Sequence, residues 1–110
     1  MKLPNPEQAI IDSQKLSGYC LNPAHPDGQH KARVFRSALG MQQEDEAELI
    51  NALKAALKNH NAIFERENSY GKKYIIDFPM TRGDQQAIIH SIWIVRFKEN
   101  VPRLVTCYIL

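Results

Sequence analysis

The sequence lacks a long apolar run and carries little net charge. Its most apolar stretch, AIIHSIWIV at 87–95, is about half as long as a membrane-spanning helix and contains a histidine. The N-terminal segment MKLPNPEQAI has no apolar core of the kind that marks a signal peptide. The formal net charge is only +2, from 14 basic and 12 acidic side chains, so overall charge does not indicate nucleic-acid binding. We expect a soluble cytoplasmic protein with no membrane partner.

Cysteines and the common ligand motifs are also scarce. The two cysteines, Cys20 and Cys107, form no CxxC pair, so we expect reduced, partly buried thiols, with one disulfide as the alternative. The four histidines share no ligand spacing and accompany no carboxylate cluster. No P-loop, GxGxxG or GxSxG motif is present. The sequence therefore predicts no metal site and no cofactor.

The size and the hydrophobic pattern predict one domain, 1–110, with a helical part followed by a sheet. A chain of 110 residues that is 44% hydrophobic is suited to a single core. The period of the apolar residues is helical over 1–61 and changes to two over 62–110. Helices followed by strands are typical of an α+β fold.

Three helices are predicted in the first part. Asp12 can cap a short helix that ends near Cys20, and a second helix, about 30–39, stops at Gly40, which favours the left-handed conformation. The third helix, about 43–60, has the clearest period, carried by Leu49, Ile50, Leu53, Ala56 and Leu57.

Four strands are predicted in the second part. They cover 62–70, 71–80, 87–97 and 103–110, and Pro79 is expected to close the second strand. The turns between them are short, which favours antiparallel neighbours. We expect N-terminal helices packed on one face of a four-stranded antiparallel meander sheet, with the other face partly open.

Alternation along the strands assigns side chains to the two faces of this sheet. The helix-facing set is predicted to be Ile76, Phe78, Ile88, Ile92, Ile94, Val105, Cys107 and Ile109. The open-face set is predicted to be Asp77, Ser91, Trp93, Thr106 and Tyr108. Such a face is wettable and offers rings on which a base could stack, although it could also be simply solvated. His90, among isoleucines, is expected in the core or at a strand edge, and a one-residue bulge would exchange the two faces.

The second helix begins with basic residues, where a helix favours acidic ones. His30, Lys31 and Arg33 lie at its start, whereas the third helix begins with acidic and ends with basic residues. Each misplaced charge costs up to about 1 kcal/mol. Departures of this kind concentrate at functional sites, and a helix N-terminus offers N–H groups to an anion. We predict a phosphate-sized pocket there, the alternative being solvated side chains or pairing with the acids of the third helix.

His25 precedes this helix in a loop stiffened by Pro23 and Pro26. A histidine held in this way can act as a general acid or base near neutral pH. It could equally be an ordinary surface residue of the loop.

Four segments together resemble one family over nearly the whole chain. They are KLSGYCLNPAHPDGQHKARVFRSALG, YGKKYIIDFPMT, SIWIV and PRLVTCYIL. The family is a small bacterial domain of unknown function, found alone and at the C-termini of polymorphic and contact-dependent inhibition toxins. Its pattern KLxxYxLNPxHPxGxxKAxxFxxxLG fits residues 15–40 without a gap, and PRLxTxY fits 102–108.

The resemblance implies a relation to the barnase–EndoU–colicin–RelE group of metal-independent ribonucleases. It would place RNA on the open face of the sheet, where a ribose 2′-OH attacks the adjacent phosphate. The implied catalytic residues are His25 as acid or base, Lys31 as phosphate stabiliser, and Thr106 and Tyr108 as residues that orient or stack the substrate. The implied RNA-binding residues are His30, Arg33, Trp93, Arg96 and Arg103.

Arg96 and Arg103 have the parity of the helix-facing side, but from the strand ends they could reach around the rim. The implied partners are RNA and a cognate antitoxin or immunity protein. Two other functions stay open: a non-catalytic module that binds phosphate, nucleic acid or protein, and a homodimer formed through the C-terminal edge strand.

Overall fold

The computed structural model describes residues 1–110 and has the predicted α+β architecture. The helices are α1 (Ser13–Lys15), which continues as a π-helical turn (Leu16–Cys20), α2 (Gln29–Leu39) and α3 (Glu46–Asn59), with single 3-10 turns at Pro6–Gln8 and Gln43–Asp45. The strands are β1 (Ile63–Glu67), β2 (Gly71–Arg82), β3 (Gln85–Arg96) and β4 (Pro102–Ile109). They form one antiparallel sheet in the order β1-β2-β3-β4. No helix combines the length and the apolar character needed to cross a membrane.

Local sequence signals set the helix ends. The Asp12 carboxylate accepts the backbone N–H of Gln14 at 2.9 Å and caps α1. Gly40 ends α2 with φ of 62°, a conformation that costs glycine little. Asp45 accepts the N–H of Gln42 at 2.9 Å before α3 begins. These residues place the helices close to the predicted positions.

Strand β2 extends past Pro79, so the prediction that this proline closes the strand is wrong. Strand β1 pairs with β2 only as far as Ile75, opposite Ile63. Beyond Ile75, β2 has no neighbour on the β1 side, so a proline there removes no hydrogen bond from that pair. The strand continues to Arg82 and turns into β3 through Gly83, whose φ is 62°.

The predicted faces of β3 are reversed. Trp93 and Ser91 are fully buried against the helices, whereas Ile88 is 42% exposed on the open face. The Trp93 indole N–H donates to the Ser91 hydroxyl at 2.9 Å, and that hydroxyl donates to the Ile76 carbonyl at 2.7 Å. Because both polar groups are satisfied internally, the large indole fills the core at little polar cost. The prediction that Ser91 and Trp93 face outward is therefore wrong.

A bulge in β4 makes the predicted face of Val105 wrong. Thr106 lies opposite Ile92, but Leu104 lies opposite Trp93, so Val105 is the extra residue between them. Leu104 is buried in the position predicted for Val105, which is only half-buried. Thr106 keeps its place on the open face.

Neighbouring pairs across β3 and β4 place the remaining residues of the open face. Tyr108 lies opposite His90, and Arg103 lies opposite Ile94. Because β3 is reversed, Arg96 also has open-face parity. The predicted helix-facing parity of Arg96 and Arg103 is therefore wrong.

Both cysteines are free and fully buried, with their Sγ atoms 3.7 Å apart. The hydrogen bond with Cys20, together with burial, raises the pKa of the Cys107 thiol well above its ordinary value. The thiol pair joins the π-helical turn to β4 beneath the open face.

Arg82, at the end of β2, connects the sheet to the helices. Its guanidinium contacts Asp45 at 3.0 Å and Glu48 at 2.7 Å. Nη1 also donates to the carbonyl of Leu39 at 3.1 Å and to that of Gly40 at 2.7 Å. One planar group thus satisfies carbonyls at the C-terminus of α2 and carboxylates at the start of α3.

Candidate anion-binding cleft

A solvent-open cleft of about 580 Å³ lies where the π-helical turn, the loop before α2 and strand β4 meet. Its lining includes Asp12, Lys15, Tyr19, His25, Lys31 and Thr106. The fold therefore brings His25 and Lys31 together with Thr106, which is 75 positions further along the chain than Lys31.

Lys31 occupies the centre of this cleft. Its Nζ donates to the Tyr19 hydroxyl at 3.1 Å and to the Thr106 hydroxyl at 3.2 Å. The same atom lies 4.6 Å from the centroid of the Tyr19 ring and 5.4 Å from that of Tyr108. Lys31 forms no salt bridge. A half-buried ammonium whose contacts are hydroxyls and ring faces has no carboxylate in direct contact and can pair with an anion.

His25 packs edge-on against Tyr19, with ring centroids 4.8 Å apart. Its Nδ1 accepts the backbone N–H of Asp27 at 3.0 Å and that of Gly28 at 2.9 Å. In the neutral ring the proton is therefore on Nε2, which makes this nitrogen a donor. A Cβ at Gly28 would collide with the Tyr19 carbonyl oxygen, so only glycine lets the loop approach Tyr19 this closely.

The same contacts occupy part of the predicted anion site at the start of α2. The N–H groups of Asp27 and Gly28 bind the His25 ring, and that of Gln29 binds the His25 carbonyl at 3.0 Å. These three N–H groups are therefore occupied within the chain, but no side chain caps α2 itself. The cationic site is formed by side chains, and Lys31 is its centre.

An acid–histidine pair on the open face was not predicted from the sequence. His90 Nδ1 lies 2.7 Å from the Asp77 carboxylate, and the histidine side chain is 15% exposed. With Nδ1–H donating to Asp77, the neutral ring keeps Nε2 as an acceptor. The His90 ring also contacts that of Tyr108, with centroids 4.9 Å apart, and Tyr108 in turn contacts Lys31.

A signal for this pair is present in the sequence. Counting outward from the two-residue turn at 83–84 places position 77 opposite position 90. An aspartate directly opposite a histidine on one face of a hairpin forms a favourable pair. Because its sequence neighbours are isoleucine and serine, His90 was instead predicted to lie in the core or at a strand edge.

Three other predicted binding residues, His30, Arg33 and Trp93, lie outside this cleft. His30 is exposed and outside the cleft, and Arg33 lines a separate cleft of about 290 Å³ with Arg36 and Glu44. Trp93 is fully buried and offers no ring to a base.

Arg96 and Arg103 lie beside the Lys31 cleft and share one acidic partner. Arg103 holds both carboxylate oxygens of Glu99, at 3.0 and 3.2 Å, and Arg96 reaches the same carboxylate at 3.9 Å. The hydrogen bond from Arg103 lowers the pKa of Glu99. No three His, Cys, Asp or Glu side chains are grouped so that they could hold a metal ion.

The molecule is thus an α+β protein whose helices cover one face of a four-stranded sheet, with a cationic cleft at the edge of the other face. Its sequence matches the family described as "Domain of unknown function (DUF6883)" over residues 2–110, and the chain belongs to that family. A search of curated proteins finds no match.

The fold is similar to that of a chain in the contact-dependent growth inhibition toxin–immunity protein complex from Klebsiella pneumoniae 342. The TM-score is 0.73 at 16% identity, and the alignment covers 92% of this chain and 99% of the other. The comparisons confirm the resemblance to a family of unknown function, and the structural likeness agrees with the toxin-associated fold. The relation to the ribonuclease group stays a prediction.

Proposed function

We propose that this protein is a toxin-like, metal-independent endoribonuclease that acts at the Lys31 cleft. The observation that carries the proposal is the Lys31 ammonium, which has no acidic partner and lies between two histidine–tyrosine contacts. Tyr19 connects it to His25, and Tyr108 connects it to His90. Similarity to a chain of a toxin–immunity complex supports the toxin part of the proposal.

Lys31 would hold the phosphate of the bond to be cleaved. Negative charge accumulates on the non-bridging phosphate oxygens as the ribose 2′-oxygen attacks the phosphorus atom. A preorganised ammonium stabilises this charge more than it stabilises the ground state, which accelerates the reaction. The Thr106 hydroxyl, 3.2 Å from Lys31, would orient the same group.

His90 is the better candidate for the general base. Its Nδ1 is held by Asp77 and its Nε2 is an acceptor, so Nε2 would take the proton of the 2′-OH. The 2′-oxygen then bonds to phosphorus, and the bond from phosphorus to the 5′-oxygen breaks, leaving a 2′,3′-cyclic phosphate. His90 returns the proton to water afterwards.

Tyr19 is the candidate for the general acid. Its hydroxyl oxygen accepts from Lys31, so its own hydrogen is free to pass to the leaving 5′-oxygen. The adjacent ammonium stabilises the resulting phenolate, which regains a proton from water. His25 would donate its Nε2–H to a phosphate oxygen. This role replaces the predicted acid–base role, because protonation of Nδ1 would break its two contacts with the loop before α2.

The test is cleavage of total RNA by the purified protein in EDTA. The wild type should degrade RNA, and His90→Gln should lower the rate about 10²-fold or more. His60→Gln, at the end of α3, is the matched control and should cleave like the wild type. Intact RNA at high enzyme concentration would overturn the proposal, as would equal cleavage by the His90 and His60 variants.

A protein partner of the antitoxin or immunity type belongs to the same proposal. The likeness to a chain of a toxin–immunity complex supports it, as do the exposed Ile63 and Phe64 on edge strand β1. Dimerisation through β4 and cytoplasmic localisation stay predictions. Residue Ile10 already pairs with Arg103 on the β4 edge, so less of that edge is free than expected. Sedimentation of the purified chain tests for the dimer.

A further inference from the structure

A row of basic side chains crosses the open face next to the Lys31 cleft. Arg66, Lys73, Ile94 and Arg103 lie opposite one another on β1, β2, β3 and β4, so three of the four positions carry a positive charge. Like charges directly opposite each other, as in Arg66 and Lys73, destabilise a sheet. The sheet therefore carries this charge at a structural cost.

Few acids compensate the row. Lys73 forms no salt bridge, and Arg66 reaches only Glu65, its exposed neighbour in sequence, at 3.7 Å. Arg96, which follows on the same face, shares the single Glu99 carboxylate with Arg103. The surface consequently retains a net positive charge.

The row is continuous with the Lys31 cleft. A groove of about 470 Å³ is lined by Lys15, Tyr70, Lys73, Arg96 and Arg103, and we call it the basic groove. The basic groove and the Lys31 cleft share Asp12, Lys15 and Val105. Along β3, Ile94 of the row is two residues from Ile92, which lies opposite Thr106 of the cleft. Two residues along a strand span about 7 Å. A linear polymer with one group bound at Lys31 can therefore extend directly into the basic groove.

The far end of the basic groove presents an aromatic ring. Tyr70 is 72% exposed, yet its backbone is fixed, because Asn68 accepts its N–H at 2.8 Å and Phe97 donates to its carbonyl at 3.0 Å. A Cβ at Gly71 would collide with the Val95 carbonyl oxygen, so glycine is needed for this close approach. An exposed ring on a rigid backbone is a surface on which an unpaired base can stack.

We propose that the basic groove binds the single-stranded segment that flanks the cleaved phosphate. Lys15, Lys73 and Arg103 contact successive backbone phosphates, and Tyr70 stacks on an unpaired base. The ring and the continuity with the cleft favour a nucleic-acid strand over an acidic protein, for which neither feature is needed. The identification of the strand as RNA rests on the proposed function.

The test is binding of a fluorescent single-stranded DNA oligonucleotide across a salt series. DNA lacks the 2′-OH, so the probe cannot undergo the proposed cleavage. The variant Lys15→Gln/Lys73→Gln should bind at least 10-fold more weakly and lower the salt slope by about 1.4, since each phosphate contact contributes about 0.7. Tyr70→Ala should weaken binding about 5-fold or more. Lys54→Gln/Lys58→Gln, on α3, is the matched control and should bind like the wild type.

Unchanged binding by the Lys15/Lys73 variant would overturn the inference, as would an equal loss in the control. Competition by a polyglutamate peptide as effective as that by the oligonucleotide would also overturn it, in favour of an acidic protein ligand. The outcome is independent of catalysis. Lys73-dependent binding without RNA cleavage would support the basic groove and reject the ribonuclease. RNA cleavage by a protein whose binding does not depend on Lys73 would support the ribonuclease and reject the basic groove.

Discussion

Two basic side chains, Arg82 and Lys31, each connect the helices to the sheet, and they differ in what surrounds the charge. Arg82 contacts two carboxylates and two backbone carbonyls. Lys31 contacts two hydroxyls and two aromatic rings and forms no salt bridge. Both are held in place, but only the charge of Arg82 is compensated within the chain.

The difference separates a structural charge from a candidate binding charge. A compensated guanidinium stabilises the fold through charge-assisted hydrogen bonds. An uncompensated, half-buried ammonium contributes little to folding, because its desolvation offsets its contacts. An incoming phosphate supplies the missing negative charge. We therefore expect changes at Arg82 to affect stability and changes at Lys31 to affect activity.

The largest effect is expected from Lys31→Met, which keeps the length of the side chain and removes its charge. RNA cleavage should fall about 10²–10³-fold, because a preorganised charge in contact with the reacting phosphate is lost. The midpoint of thermal unfolding should change little. Initial rates and a melting curve of the same preparation check both points, and a large fall in stability would show that Lys31 is structural.

Arg82→Ala should give the opposite result. The free energy of unfolding should fall by about 2–3 kcal/mol, since carboxylates and helix-terminal carbonyls lose their partner. Cleavage by the folded protein at low temperature should equal that of the wild type. Urea unfolding measures the first effect. Lys at this position should restore only part of the stability, because an ammonium lacks the planar fork.

Asp77→Asn should have a smaller effect on catalysis. The amide leaves His90 in place but no longer favours the charged form that arises when Nε2 takes a proton. We expect kcat to fall about 10-fold with KM and the melting temperature unchanged. Steady-state kinetics on an RNA oligonucleotide measure this, and a change confined to KM would assign Asp77 to substrate binding.

The smallest effect concerns the buried thiol pair beneath the open face. The pKa of Cys107 is raised, so the folded state keeps this proton at a pH where the unfolded chain loses it. The contribution to stability is complete below the ordinary thiol pKa of 9.0 and declines above it by up to about 1.4 kcal/mol per pH unit. Urea unfolding at pH 7 and at about pH 10 should show a steeper decline for the wild type than for Cys107→Ala. Parallel declines would contradict the assignment.

Much of the fold could be predicted because its signals are local. The period of α3, the stop at Gly40 and the short turns between strands depend on a few neighbouring residues. The faces of β3 could not be read in this way, because isoleucine occurs on both and the Trp93 indole finds its partner only in the folded chain. The bulge at Val105 is likewise a property of the pairing with β3.

The site was predicted unevenly for the same reason. The unusual charges of α2 identified Lys31, since a misplaced basic residue is visible in the sequence. They also pointed to His30 and Arg33, which lie on other sides of the helix. The role of His25 depends on which backbone N–H groups it meets, and the role of His90 depends on strand register. Both are tertiary properties.

The ends of the RNA fragments show whether the chain cleaves RNA by attack of the 2′-OH and whether Lys31 is required. A defined RNA oligonucleotide is incubated in EDTA with the wild type or with Lys31→Met, and the fragments are weighed by mass spectrometry. We expect 2′,3′-cyclic phosphate and 5′-hydroxyl ends from the wild type and intact RNA from the variant. Uncut RNA with the wild type, or equal cutting by both proteins, would contradict it.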